Sequence, residues 1–309
     1  MNKIITLACT LALSVNAACA SSNIKFKWPV PVSVAVDENV LKKGKEAKIH
    51  YDIVVENDAK KNQINLQYHN FKILELDGID LSKEENQKTN QKVIDMMTAV
   101  ESAMPTLVID ADGKAQDVIG LDETINKTLE LLPMKNAEDL ESLKTFLKSP
   151  VMEKQIKQKS LEVWRLWVET WLSCAPAEGK EDILEVEIPV GATTLISAIQ
   201  VKNLGPVKEY PDCVKLVADG NFEGEEARKN FAEMMKQLAD RIPKKEGVKP
   251  FTVDMVQEVS RKTHMEVVIN PKTAQTQTAL VESSTHMKIN DKTKDAIERH
   301  EYKFAWPKK

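Results

Sequence analysis

The chain of 309 residues sets 43 Lys and Arg against 47 Asp and Glu, a net charge of −4, with 42% hydrophobic and only 5% aromatic residues. A mildly acidic balance of this kind excludes the basic surface that nucleic-acid binders carry. The length allows one large domain or two small ones, and no linker rich in Pro, Gly or Ser divides it.

The first twenty residues, MNKIITLACTLALSVNAACA, place Lys3 before an apolar run from Ile4 to Val15 and end on small residues. That is the pattern of a secretory signal peptide over residues 1–20, cleaved after Ala20. The mature chain, 21–309, is therefore expected to be periplasmic or secreted. Lipidation at Cys19 is disfavoured, since Asn16 stands where a lipoprotein signal usually has Leu. No other stretch approaches the roughly 20 apolar residues of a transmembrane helix. Cys174 and Cys213 then remain, and in an oxidising compartment such a pair is expected to form a disulfide.

Along the chain, Ile24, Phe26, Trp28, Val30, Val32, Val34 and Val36 share one parity and Lys25, Lys27, Ser33 and Asp37 the other. This alternation predicts a half-buried strand. Pro29 and Pro31 on the polar parity assign it to a sheet edge. Ile49, Tyr51, Ile53 and Val55 continue the rule, and Ile64, Leu66 and Tyr68 resume it after a polar turn. The parity slips near His69 to Phe71, which predicts a bulge. Helical periodicity over about residues 88–104 gathers Val93, Met96, Met97 and Val100, and Pro105 ends it. TLVIDADGKAQDVIG reads as a hairpin about Asp112 and Gly113. A helical insertion, 121–172, follows in pieces broken at Pro133 and Pro150. Strands resume at ILEVEIPV, TLISAIQV and CVKLVA. One more helix covers GEEARKNFAEMMKQLADRI, with Phe231, Met234, Met235 and Leu238 on its apolar side. Two long strands then flank an Asn-Pro-Lys-Thr turn, and a final strand sets His300, Tyr302, Phe304 and Trp306 on one face. The words KFKWP (25–29) and KFAWP (303–307) thus encode one in/out rule at both ends of the mature chain. The pattern predicts a single α+β domain: a curved antiparallel sheet of about eleven strands with helices covering its concave face.

Few features could carry chemistry. Trp164, Trp167 and Trp171 lie along one helix face at spacings of three, four and seven. They suit either an apolar-ligand platform between helix and sheet or an ordinary core. Met96 and Met97 suit an adaptable greasy lining, though ordinary core packing is the favoured reading. The five histidines show no metal-ligand spacing, and DADG at 110–113 lacks the further acidic positions of a calcium loop. There is no G-x-S-x-G elbow and no Gly-rich phosphate loop, and no carboxylate pair stands out for acid/base work. No catalytic residue, metal site or cofactor is expected.

The strand, tight turn, strand and helix of PTLVIDADGKAQDVIGLDETI (105–125) and the long hairpin of HMEVVINPKTAQTQTALVESSTHMKI (264–289) resemble the half-barrel proteins of the bacterial envelope, the class of the periplasmic lipoprotein carrier. The resemblance implies an open barrel wall plugged by helices, and transfers no functional residues. It implies a non-enzymatic binding protein that shelters a lipid or other apolar ligand between sheet and helices. Trp164, Trp167, Trp171, Met96 and Met97 would line that closure. The alternative is an envelope interaction or assembly factor with a packed interior, whose partner is another envelope protein.

Overall fold

The computed structural model describes residues 14–15, 22–58, 61, 63–101, 104–130, 137–190, 193–241 and 250–307. Their strands form one thirteen-stranded sheet that is antiparallel at every named pairing. They are β1 (Ser14–Val15), β2 (Val32–Lys42), β3 (Lys45–Asp58), β4 (Gln63–Leu76), β5 (Ile79–Asp80), β6 (Thr106–Ile109), β7 (Ala115–Ile119), β8 (Glu181–Val190), β9 (Thr193–Val207), β10 (Tyr210–Phe222), β11 (Val256–Ile269), β12 (Thr276–Ile289) and β13 (Lys292–Ala305). In space the order runs β1-β8-β9-β10-β11-β12-β13-β2-β3-β4-β6-β7, with β5 beside β4. The sheet is open, as the alternation and turn signals predict. The helices are α1 (Glu84–Glu101), α2 (Leu121–Glu130), α3 (Ala137–Leu147), α4 (Pro150–Trp164), α5 (Thr170–Ser173) and α6 (Glu225–Arg241).

One face of the sheet is apolar and covered. Val32, Val34 and Val36 of β2, Ile49, Tyr51, Ile53 and Val55 of β3, and Tyr302 and Phe304 of β13 all point into the main core. That core is closed by the stretch from α4 to α5 and by Phe231, Ala232, Met234 and Met235 of α6. A second, smaller cluster of Leu121, Ile125 and Leu129 holds α2 against Leu140, Leu143 and Ile156. The parity slip in β4 is a register shift between the pairs His50/Lys72 and Asp52/His69, with Asn70 at φ 57. The hairpin at Gly113 forms as read: Gly113 sits at φ +84, and its N–H donates to the Asp110 carbonyl at 3.1 Å.

The opening segment departs from its predicted role. Residues 23–29 are extended but outside the sheet, and β2 runs in the middle of it, between β13 and β3. Both prolines precede Val32, so the strand that follows has every N–H available and needs no free side. The segment carrying Lys25 and Lys27 instead donates its amides to the carbonyls of Pro271 and Thr273 in the β11–β12 turn, each at 3.0 Å. Trp28 and Trp306 still meet, ring centroids 4.7 Å apart and nearly perpendicular. The two similar words therefore face the same interior.

The helix from Pro150 to Ser173 contains a π turn at Arg165–Glu169, between α4 and α5. A single-turn widening shifts the helical phase, and all five of its residues are buried. Trp164, Trp167 and Trp171, which flank and occupy it, are each at 0% exposure. An indole of ~200 Å² taken out of water contributes ~5 kcal/mol at ~25 cal/mol per Å². The three together anchor the helix to the sheet.

The cysteine pairing is corrected by the fold. Cys213 is a free, buried thiol, so the expected bridge to Cys174 does not form. Cys213 lies on β10 with its neighbours Val214 and Lys215 paired to β11, whereas Cys174 ends α5. Cys174 is disulfide-bonded, and its partner lies outside the described residues. The expected signal peptide also lies mostly outside them.

Candidate functional site

Each indole that could have formed a ligand platform packs against the protein itself, with Trp167 Nε1 buried and lacking a hydrogen-bond partner among the described residues. Trp164 Nε1 donates to the Gly113 carbonyl at 2.9 Å, and Trp171 Nε1 to the Leu166 carbonyl at 2.7 Å. Trp167 stands edge-on to Tyr302 and Phe304, centroids 5.3 and 5.0 Å away. Thr276 Oγ1 donates to the Trp167 carbonyl at 2.6 Å. Trp28 packs against Trp164 at 5.0 Å and reaches the Ala274 carbonyl through its Nε1. Of the two readings open to this stripe, these indoles fill the core. Met96 and Met97 lie on α1, and their side chains are outside the described residues.

The space that is open lies on the other side of the sheet. The register aligns Val267, Ala279, Tyr302, Glu38 and Ile49 in one row across β11, β12, β13, β2 and β3. Their side chains point into the core. The rows on either side therefore point outward: Glu266, Leu280, Glu301, Asn39 and Lys48 on one, Val268, Thr278, Lys303 and Asp37 on the other. Together with Leu74 these residues line a groove of ≈ 630 Å³ whose floor is the backbone of the central row. Five strands at their ordinary separation give it a length of about 20 Å. A coiled, twisted sheet is saddle-shaped, so strands wrapped around a core leave the outer face hollow along their length. The volume falls within the range of small-molecule sites.

The charges in the groove are mostly spoken for. Lys48 pairs with Glu75 at 2.7 Å, Glu266 with Lys215 at 2.6 Å, Asp37 with His50 Nδ1 at 2.7 Å, and Glu301 with Arg299. Lys303 makes no ion pair among the described residues. The apolar patches between the charges come from Leu280, Val268 and the exposed Leu74.

Behind the groove floor, Glu38 and Tyr302 of the same row join side chains of neighbouring rows in a polar cluster. Glu38, 13% exposed, accepts from His300 Nδ1 at 2.7 Å. The Tyr51 and Tyr302 hydroxyls also engage this carboxylate, and both phenols are held well above their ordinary pKa, first by burial and then by the Glu38 charge. His300 Nε2 lies 3.1 Å from Glu298, itself 2.6 Å from Lys42. Burial pulls the imidazole pKa down, but bonds to Glu298 and Glu38 outweigh it and carry it up to about 9. The His300 bond, the largest influence on Glu298, holds that carboxyl at about 2 against its burial. The cluster is an ion-paired brace between β13, β2 and β3. Its hydroxyls and imidazole are all turned toward carboxylates. Among the described residues no three His, Cys, Asp or Glu side chains are grouped to hold a metal.

The groove was not visible to sequence reasoning. Its residues are the polar parity of five strands distant in sequence, and only the register brings them together. The cross-strand histidines had a faint signal, since His264 and His286 alternate with apolar residues on predicted strands. In the structure they are 2.7 Å from Asp219 and Asp295.

No family model matches the chain, and no curated protein matches it. Among solved structures it is similar to a chain described as "Lipid-protein interactions in lipovitellin", at 8% identity and a TM-score of 0.40. That match covers 90% of this chain and 25% of the other, so this chain spans a quarter of its neighbour's length. No family match supports the carrier-like resemblance drawn from the sequence. Among the described residues no helix is long and apolar enough to cross a membrane.

Proposed function

We propose that the protein is an exported, non-enzymatic binding protein that takes an elongated amphiphile, apolar along its length and anionic at one end, in the transverse groove of the sheet's outer face. The observation that carries this reading is the groove itself: a hollow about 20 Å long of ≈ 630 Å³ with Leu280, Val268 and Leu74 along it and, at its side, Lys303, a cation with no ion pair among the described residues. A fatty acid has this shape and charge. The space between sheet and helices does not serve, because the three indoles expected to line it are at 0% exposure.

Titration with a fluorescent long-chain fatty acid, together with native mass spectrometry of the freshly purified protein, tests the reading. Saturable one-to-one binding is expected, weakened by about tenfold in Lys303→Glu and in Leu280→Asp. Lys303 is exposed and Leu280 only partly buried, so near-ultraviolet circular dichroism should stay unchanged in both variants. Absence of binding, or binding indifferent to both substitutions, overturns it.

A further inference from the structure

At the end of the sheet opposite β7, strand β8 pairs with β9 along its whole length, from Glu181 opposite Lys202 to Val190 opposite Thr193. On its other side, among the described residues, two residues are covered: Glu187 lies opposite Ser14 and Val186 opposite Val15. The N–H of Ile183 donates to the Asp182 carboxylate at 2.8 Å instead of to β9. Backbone groups of one parity point to one side of an antiparallel strand, so Ile183, Glu185 and Glu187 present their amides to the free edge. Pro189, which has no N–H, ends the series. The short apolar segment Ser14–Val15, seated in register on Glu187 and Val186, shows that an extended chain is accommodated there. It belongs to the leader expected to be removed on export.

The side chains of β8 say what kind of chain fits. On the outward parity stand Glu181, Ile183 and Glu185, all exposed, with Ile183 at 58%. On the inward parity Leu184 and Val186 are buried. An added strand places its residues directly opposite these. A second copy of β8 would bring glutamate against glutamate, which is destabilising. A strand with basic side chains outward and apolar ones inward is complementary on both faces. The chain's own segment of that kind, Lys25 to Trp28, is already bonded to the β11–β12 turn.

We propose that the free edge of β8 is a strand-addition site that takes an extended segment of a partner protein in which basic and apolar residues alternate. Main-chain hydrogen bonds to the Ile183 carbonyl and to the amides and carbonyls of Glu185 and Glu187 supply the pairing, and Glu181 and Glu185 supply the selection. The site is independent of the transverse groove.

The test uses the chain with its leader removed and labelled peptides of about seven residues, followed by fluorescence anisotropy. A peptide alternating lysine and valine is expected to bind and one alternating glutamate and valine is not. N-methylation of alternate amides in the lysine peptide, which keeps its charge and removes its donors, is expected to weaken binding by at least about tenfold. In Glu181→Lys/Glu185→Lys the preference between the two peptides is expected to reverse, while fatty-acid binding at the groove stays as in the parent. Three results each overturn the proposal: an N-methylated peptide that binds as well as the parent, a double variant that keeps the original preference, or self-association of the peptide-free protein in sedimentation that the double variant abolishes. The last assigns the edge to a second copy of this chain.

Discussion

Replacing His300 by Gln removes the one imidazole that faces the core side of the sheet, and the consequence is a loss of stability that depends on pH. His300 contacts Glu38 of β2 and Glu298 of its own strand, stacks on Tyr302, and lies one step from Lys42 through Glu298. Its pKa is about 9 in the folded chain against an ordinary 6.5. A group whose pKa rises on folding contributes stability that is fully present below the unfolded value and is lost as pH climbs through the folded one. Those two values give a contribution of about 3 kcal/mol near pH 6, about 1.4 kcal/mol near pH 8 and close to zero near pH 10. The depressed Glu298 pKa describes the same interaction from its other side and is not added. It sets the acid limit, where the contribution fades as pH falls from the ordinary 4.5 toward about 2. Urea unfolding of the parent and His300→Gln at the three pH values is the assay. The gap between them should narrow by most of that 3 kcal/mol between about pH 6 and about pH 10. Titrations of groups that do not touch His300 cancel in the comparison. A gap that is the same at both ends of the range refutes the ion-paired brace.

Three further outcomes follow from packing. Trp164→Ala leaves a cavity among Phe26, Trp28 and Gly113 and is expected to cost about 3–5 kcal/mol in denaturant unfolding. Gly113→Ala and Gly120→Ala make a controlled pair, since both glycines sit at φ +84 but only at Gly113 does an added Cβ fall 2.6 Å from Phe26 Cγ and 2.7 Å from Leu172 Cδ1. The substitution at 120 is expected to cost about 1 kcal/mol of backbone strain and that at 113 at least about 2 kcal/mol more, read as the difference in unfolding midpoint. Cys213, whose thiol burial and the nearby Asp212 push up to about 11, is expected to resist alkylation at neutral pH until the chain is unfolded; prompt labelling in native buffer contradicts that placement.

The sequence-to-structure comparison divides along a physical line. Period-2 alternation made the inward faces of β2, β3 and β13 readable because burial acts on each side chain individually, and the slip at His69 to Phe71 announced the bulge in the same way. Strand neighbours were not readable. The placement of β2 in mid-sheet depends on β13, more than 250 residues later, and prolines at 29 and 31 suggested an edge only because the strand's start at Val32 is not marked in the sequence. The indoles were correctly assigned to one side of a helix. Whether they met a ligand or a wall depended on Phe26, Trp28, Tyr302 and Phe304, which stand opposite them and are distant in sequence. The Cys174–Cys213 pairing failed for a related reason: counting cysteines after removing a leader says nothing about distance. The groove, built from the residues that alternation labels solvent-facing, is a property of curvature and register rather than of composition.

The place of β13 bears on how the molecule is made. It follows the other twelve strands in sequence and stands between β12 and β2, joining strands within residues 32–119 to strands within residues 181–289. Until it is in place, each half ends in a raw strand bordering an apolar face. Without β13 the two raw edges are those of β12 and β2, so completion of the sheet turns on a single event: the docking of β13.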